Sequence, residues 1–188
     1  HPPFWIAALS PSTIEWAAKK GYPVLTDQFS PVHRIEENRA LYLSHLAGSG
    51  VSRDSMELPT LRQVFVGETM AKAREQAGPA LLWYYRALAR VGSPGGVDGP
   101  LPDNYSFYNI WGDDKLNPDE DRDGFLEFLF DHCTIIGDAA YCRDKISELQ
   151  ERIGLDSLIC WQNFGDLPHE ATLASQRRLI EEVAPAFA

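Results

Sequence analysis

Apolar runs of strand length alternate along this chain with stretches of helical periodicity, the pattern of a parallel β/α protein. Phe4-Trp5-Ile6-Ala7-Ala8-Leu9 reads as a buried strand, Ser10 to Thr13 as a turn, and Ile14 to Lys20 as a helix closed by Gly21. Val24-Leu25-Thr26 is a second, short strand. Its helix starts near Pro31 or Val32 on an apolar stripe of Ile35, Ala40, Leu41, Leu43 and Leu46, and stops at Gly48-Ser49-Gly50. Leu61 to Val66 is the third strand, with Val64 and Val66 on one side and Gln63 and Phe65 on the other. Thr69 opens a long helix, Met70 to about Ala89, which Gly78-Pro79 is expected to break or kink. Further on, Gly124 to His132 and Ala139 to Ile153 read as helices, Asp156 to Trp161 as a fourth and last strand, and Ala171 to about Val183 as the closing helix. Trp5 and Trp16 fall on the strand and helix face expected to cover each other, which makes both core candidates.

Between Gly92 and Asp123 the pattern fails. Gly95-Gly96, Gly99-Pro100, Pro102 and Asn117-Pro118 mark an irregular insertion (92–123) longer than a compact domain usually holds. Tyr105, Phe107, Tyr108, Ile110 and Trp111 form an aromatic cluster there, fit either for a lid or for packing against a partner chain.

Composition narrows the classes. With 188 residues, 44% of them hydrophobic, the chain can bury the core of one domain. A net charge of −10 leaves no basic surface to release counterions, which argues against nucleic acid or an anionic membrane as partner. Nothing resembles a membrane span or a secretory signal region. Cys133, Cys142 and Cys160 are an odd set without CxxC spacing, so a reduced, cytoplasmic protein is expected, with Cys160 buried in a strand.

Chemistry-bearing motifs are few. No GxSxG, P-loop or GxGxxG occurs, and no metal-ligand spacing among His, Cys and carboxylates. Asp119-Glu120-Asp121-Arg122-Asp123-Gly124 copies the start of a calcium loop, but its twelfth position is Phe130 where a bidentate Glu is needed. An acidic turn capping the following helix accounts for it. His33 and His45 fall on a helix facing outward, and His132 on a helix end. His169 lies in the loop Gln162 to Glu170 after the last strand, as a surface or capping group or as a reacting one. Ser10, Ser12 and Thr13 open a helix straight after a strand. Unpaired N–H groups, the macrodipole and the hydroxyls together make such a place a phosphate cradle. The same residues also fit plain capping, with Ser10 before Pro11 at the first helical position, or Ser12 and Glu15 as a capping box.

The string Phe4 to Gly21, with Leu61 to Ala73, Ile135 to Asp138, Asp156 to Trp161, Gly165 to Glu170 and Glu181 to Phe187 in order, resembles the luciferase-like, flavin-dependent monooxygenases. These are (β/α)8 barrels that use reduced FMN and O2. The resemblance implies an α/β fold of the TIM-barrel type, with this chain supplying about the second half as four β/α units plus the insertion. It implies that the hydroxyls of Ser10 and Thr13, with the backbone beside Leu9, hold the FMN phosphate. Leu9 stands where some members carry an acid, which leaves only a main-chain contact. By topology, Asp27 and Gln28 after the second strand, and Trp161 and Gln162 after the fourth, line the flavin cavity, and His169 is the candidate catalytic group among the loops at the carboxyl ends of the strands. Implied partners are a small organic substrate, O2 and a separate flavin reductase. A full barrel needs roughly 250 residues, so the expectation is half an enzyme, completed by a missing N-terminal half, by a second chain, or by self-association of open strand edges. The alternative is a non-catalytic half-barrel acting as a binding or structural subunit.

Overall fold

The structure is a computed structural model that describes residues 4–92 and 118–188. The aromatic cluster of the insertion, and the choice between lid and partner contact, lie outside the described residues. The chain divides into two compact units, His1–Arg62 with Ile146–Cys160, and Gln63–Lys145 with Trp161–Ala188.

In the first unit, β1 (Ile6–Ala7) leads to α1 (Pro11–Lys19), and β2 (Val24–Leu25) to α2 (Val32–Leu46). The two strands pair in parallel, Ile6 opposite Val24 and Ala7 opposite Leu25. A further parallel bridge joins Thr26 to Thr60, near the start of β3 (Pro59–Val66). Ile14, Ala17 and Ala18 of α1 pack with Tyr42 and Leu46 of α2, Val24 and Leu58. The two alanines are fully buried, and their small side chains let α1 and α2 approach closely. Positive φ at Gly21 (68°) lets the chain leave α1 in the left-handed conformation that glycine adopts without strain.

Two expectations fail in this unit. Trp5 and Trp16 are 42% and 47% exposed. Alternation explains the first: Ile6 turns inward, so Trp5 and Ala7 turn out. Trp16 lies off the Ile14/Ala17/Ala18 face and tilts against Tyr22, with centroids 5.6 Å apart. The buried face of α2 is likewise Val32, Ile35, Arg39, Tyr42 and Leu46, while Ala40 and Leu43 are exposed. The spacing from Ile35 through Arg39 and Tyr42 to Leu46 follows one helical face. Arg39 can be buried there because its Nη2 donates to the Leu58 carbonyl at 3.2 Å.

Chain closure of the first unit rests on Asp156. Its Oδ2 accepts from the Leu58 N–H at 2.9 Å and pairs with Arg53, tying the approach to β3 to that of β5 (Ser157–Trp161).

In the second unit, the end of β3 pairs in parallel with β4 (Ile135–Gly137), Val64 opposite Ile135 through Val66 opposite Gly137. The described residues therefore hold five strands rather than four. Three-residue β4 is too short for its pattern to be told from the end of the preceding helix. Within the sheet, β3 has β4 and β5 as its hydrogen-bonded neighbours. Helix α3 (Met70–Gly92) runs through Gly78 and Pro79 without a break. Its proline points outward and Gly78 is buried, 3.6 Å being left between an added Cβ and Phe130. Gly67 turns β3 into α3 so tightly that a Cβ would lie 2.7 Å from that of Ala73.

Asp121 caps α4 (Arg122–Phe128), its Oδ1 accepting from the Gly124 N–H at 2.9 Å, which is the capping role expected of the acidic turn. A π-helical turn, Leu129–Cys133, follows and is closed by Thr134 donating to the Leu129 carbonyl. Helix α5 (Ala139–Ile153) has the predicted limits, and α6 (His169–Arg178) starts two residues before its predicted one. Cys133 and Cys142 are buried, and Cys160 on β5 is half-buried, enough to push its thiol pKa up by desolvation.

Candidate functional site

The candidate residues of the first unit gather at the carboxyl ends of β1 and β2, which share one end because the strands are parallel and adjacent. Ser10 is the N-cap of α1. Its Oγ accepts from the Thr13 N–H at 3.2 Å and lies 2.7 Å from Thr13 Oγ1 and 3.2 Å from Ser12 Oγ. Three hydroxyls thus converge on the positive end of a nine-residue helix, with Pro11 at the position where no N–H is needed. The capping box on Ser12 does not form. Glu15 pairs with Lys19, whose ammonium holds its carboxyl pKa below the usual range. Leu9 is half-buried and brings no polar side-chain group to the cap.

Asp27 is committed to its own loop. Its Oδ1 accepts from Phe29 N–H (2.9 Å) and Ser30 N–H (2.6 Å), and its Oδ2 from Ser30 Oγ (2.8 Å). Arg62, 1% exposed, braces the same loop by donating to the carbonyls of Ser30 (2.8 Å) and Asp27 (3.4 Å). No local signal marks that arginine, since a charged residue inside an apolar strand run forms no motif. Gln28 is half-buried within this braced loop.

In the second unit, Trp161 ends β5 and donates from Nε1 to the Asn163 carbonyl at 2.7 Å. Its ring meets Tyr84 edge-on at 5.1 Å and Phe164 at 6.4 Å. Gln162 follows, and its Oε1 is buried with no hydrogen-bond partner among the described residues. Gln63 of β3 is fully buried, and neither its Nε2 nor its Oε1 has a partner among them. Nothing in the local pattern sets Gln63 apart from its neighbours on the strand. His169 is the first residue of α6 and is exposed. Among the described residues no group of three or more His, Cys, Asp or Glu is arranged to hold a metal ion, and no helix is long and apolar enough to cross a membrane.

Hydroxyls at a helix start after a parallel strand, with loops gathered beyond strand ends, are the parts from which (β/α)8 barrels build phosphate sites. Solved structures agree on the fold. Monooxygenase RslO1 from Streptomyces bottropensis is similar over 100% of this chain and 49% of its own, with a TM-score of 0.69 at 19% identity. The oxygenating constituent of 3,6-diketocamphane monooxygenase from Pseudomonas putida, solved in complex with FMN, is similar over 96% of this chain and 47% of its own, with a TM-score of 0.66 at 19% identity. The fold is that of about half a luciferase-like TIM barrel.

Residues 1–157 match the family model for luciferase-like monooxygenases, and the chain belongs to that family. The oxygenase component of a flavin-dependent trigonelline monooxygenase from Acinetobacter baylyi is 25% identical over 200 aligned residues, covering 100% of this chain and 49% of the relative. The chain spans about half the length of the curated relatives it matches.

Proposed function

We propose that this chain carries the phosphate-binding part of an FMN-dependent monooxygenase that uses reduced flavin and O2 to oxidise a small organic substrate. The observation that supports it is the convergence of Ser10, Ser12 and Thr13 hydroxyls within 2.7–3.2 Å at the start of α1. Hydroxyl rotors that now bond to one another can turn outward to donate to phosphate oxygens, beside N–H groups whose dipoles favour negative charge. Bound FMN would supply the oxygen chemistry. The chain's residues bind, orient and exclude water: Ser10 and Thr13 hold the phosphate, and Leu9 adds its backbone alone. Asp27 and Arg62 keep the loop bearing Gln28 in one shape; of the second unit, Trp161 and Gln162 are the residues we assign to flavin contact. His169, exposed as the first residue of α6, is the group we assign to exchange a proton with substrate.

The rest of the barrel comes from a missing N-terminal half or a second chain. Phe4 (44% exposed), Trp5, Trp16 and Ile159 (38%) support this, because a half-barrel alone leaves such side chains uncovered. A reductase delivering reduced FMN fits the relative's designation as an oxygenase component.

Titrating the protein with FMN and with riboflavin tests the phosphate seat. FMN should bind the more tightly, and Ser10→Ala with Thr13→Ala should erase the difference. Equal affinity of the unaltered chain for the two flavins would sink the proposal. A second function, that of a non-catalytic subunit, is favoured by the same exposed aromatic side chains. It requires a colourless protein that self-associates and ignores both flavins.

A further inference from the structure

We propose that the cavity along the exposed side of α3, within the second unit, is a binding site for a small carboxylic acid with a flat apolar body. The inference does not rest on the flavin function proposed above. The cavity holds about 700 Å³, within the range of small-molecule sites. Pro79, Leu82, Trp83, Arg86 and Ala87 line it from α3, and they fall at i, i+3, i+4, i+7 and i+8, a single helical stripe. A second stripe of the same helix, Ala73, Ala77, Ala80, Leu81 and Tyr85, is buried in the core. A helix at a domain surface buries one apolar stripe and turns polar residues outward, so a further apolar stripe calls for a cause. Trp83 is 56% exposed, whereas its neighbours Tyr84 and Tyr85 pack edge-on against each other and against Trp161 and Phe125.

The class of ligand follows from the polar groups on the same lining. Arg86 comes from α3 and Arg122 from the start of α4, so two guanidinium groups reach the cavity from different elements. Arg86 donates from Nη2 to the Pro118 carbonyl at 3.0 Å and pairs through the same nitrogen with Asp119 at 2.9 Å. Its Nε has no partner among the described residues. Arg122 meets Asp123 through Nε at 3.6 Å, a pair so exposed that it holds the guanidinium weakly. Asp166, the carboxylate on the lining, pairs with neither arginine among the described residues. A guanidinium presents a planar fork of N–H donors that matches a carboxylate with two parallel hydrogen bonds. The indole face of Trp83, with Leu82 and Pro79, suits a flat ring. Inorganic phosphate would use the arginines and leave the apolar stripe idle, and a hydrocarbon would do the reverse.

The full chain is titrated with 2-naphthoate, with the uncharged 2-naphthamide and with acetate, while the indole N–H signal of Trp83, assigned through Trp83→Phe, is followed by NMR. Naphthoate should move that signal with a Kd below about 1 mM, naphthamide should bind about tenfold more weakly, and acetate should leave the signal still. Arg122→Gln should lower naphthoate to the affinity of naphthamide. Calorimetry on Trp83→Ala should show both ring compounds weakened by about tenfold. Both substituted side chains are exposed, so the variants should melt as the parent does. Equal binding of naphthoate and naphthamide overturns the assignment, as does a Trp83 signal that naphthoate leaves unmoved, or a discrimination that survives Arg122→Gln. The preference for FMN over riboflavin is read separately: Trp83→Ala should leave it intact, and its absence from the unaltered chain would remove the phosphate seat while this site stands.

Discussion

Ser10 has one side-chain oxygen and two demands on it, the cap of α1 and the proposed phosphate. Ser10→Ala removes both, and unfolding in urea should show a loss of about 1 kcal/mol, the usual worth of an N-cap. Ser10→Asp separates them: the cap is kept, the melting temperature holds, and FMN binding is lost because a carboxylate occupies the anion seat. Asp156 is a structural counterpart. Replacing it with Ala strips the buried Leu58 N–H of its acceptor and takes from Arg53 its carboxylate partner, with an expected cost of about 1–3 kcal/mol in the same assay. These single residues were unevenly legible. Ser10 was found because Ser-Pro before a periodic stretch is a local signal, and Asp121 for a similar reason. Trp5, Trp16, Arg39 and Gln63 were not, since whether a large or polar side chain is buried depends on which neighbours arrive from elsewhere in the chain.

Helices α2 and α5 are joined by Arg152, whose guanidinium grips Glu36 at 2.7 and 2.8 Å while also holding Glu148. Arg152 draws the Glu36 carboxyl pKa below its ordinary 4.5. A folded-state pKa lower than the unfolded one means stability that is present above pH 4.5 and fades as pH falls through the folded value. Thermal melts of the parent and of Glu36→Gln should therefore differ at pH 7 and converge under acid. Gly165 sets a second constraint, on the loop between β5 and α6. Its φ is +60°, and a Cβ would lie 2.2 Å from the Ala80 carbonyl oxygen, so Gly165→Ala should cost about 1–3 kcal/mol. Helix α5 was plain in the sequence because its apolar period repeats several times, whereas the start of α3 was legible and its passage through Gly78-Pro79 was not. The two-residue β1 and β2 and three-residue β4 were not bounded by it, because strands this short are defined by the partner they pair with.

At the scale of the molecule, Phe4, Trp5, Trp16 and Ile159 of the first unit are large apolar side chains left exposed, the kind of surface a partner covers. Sedimentation of the purified chain should show a species heavier than one copy, and Phe4→Lys with Trp16→Lys should return it to a single chain with its helical content intact. A monomer that binds flavin unaided would contradict the need for a partner.

Periodicity, punctuation by Gly and Pro, and the order of separate family-like segments determined the β/α class and the capped start of α1 at Ser10 from the sequence alone, because those properties are local. Tertiary structure alone decided that Pro79 rides inside one unbroken helix, that a fifth strand pairs beside β3, and that Gln63 is sealed away with its amide unmet. Each of those depends on contacts between residues far apart in the chain, which no local pattern encodes.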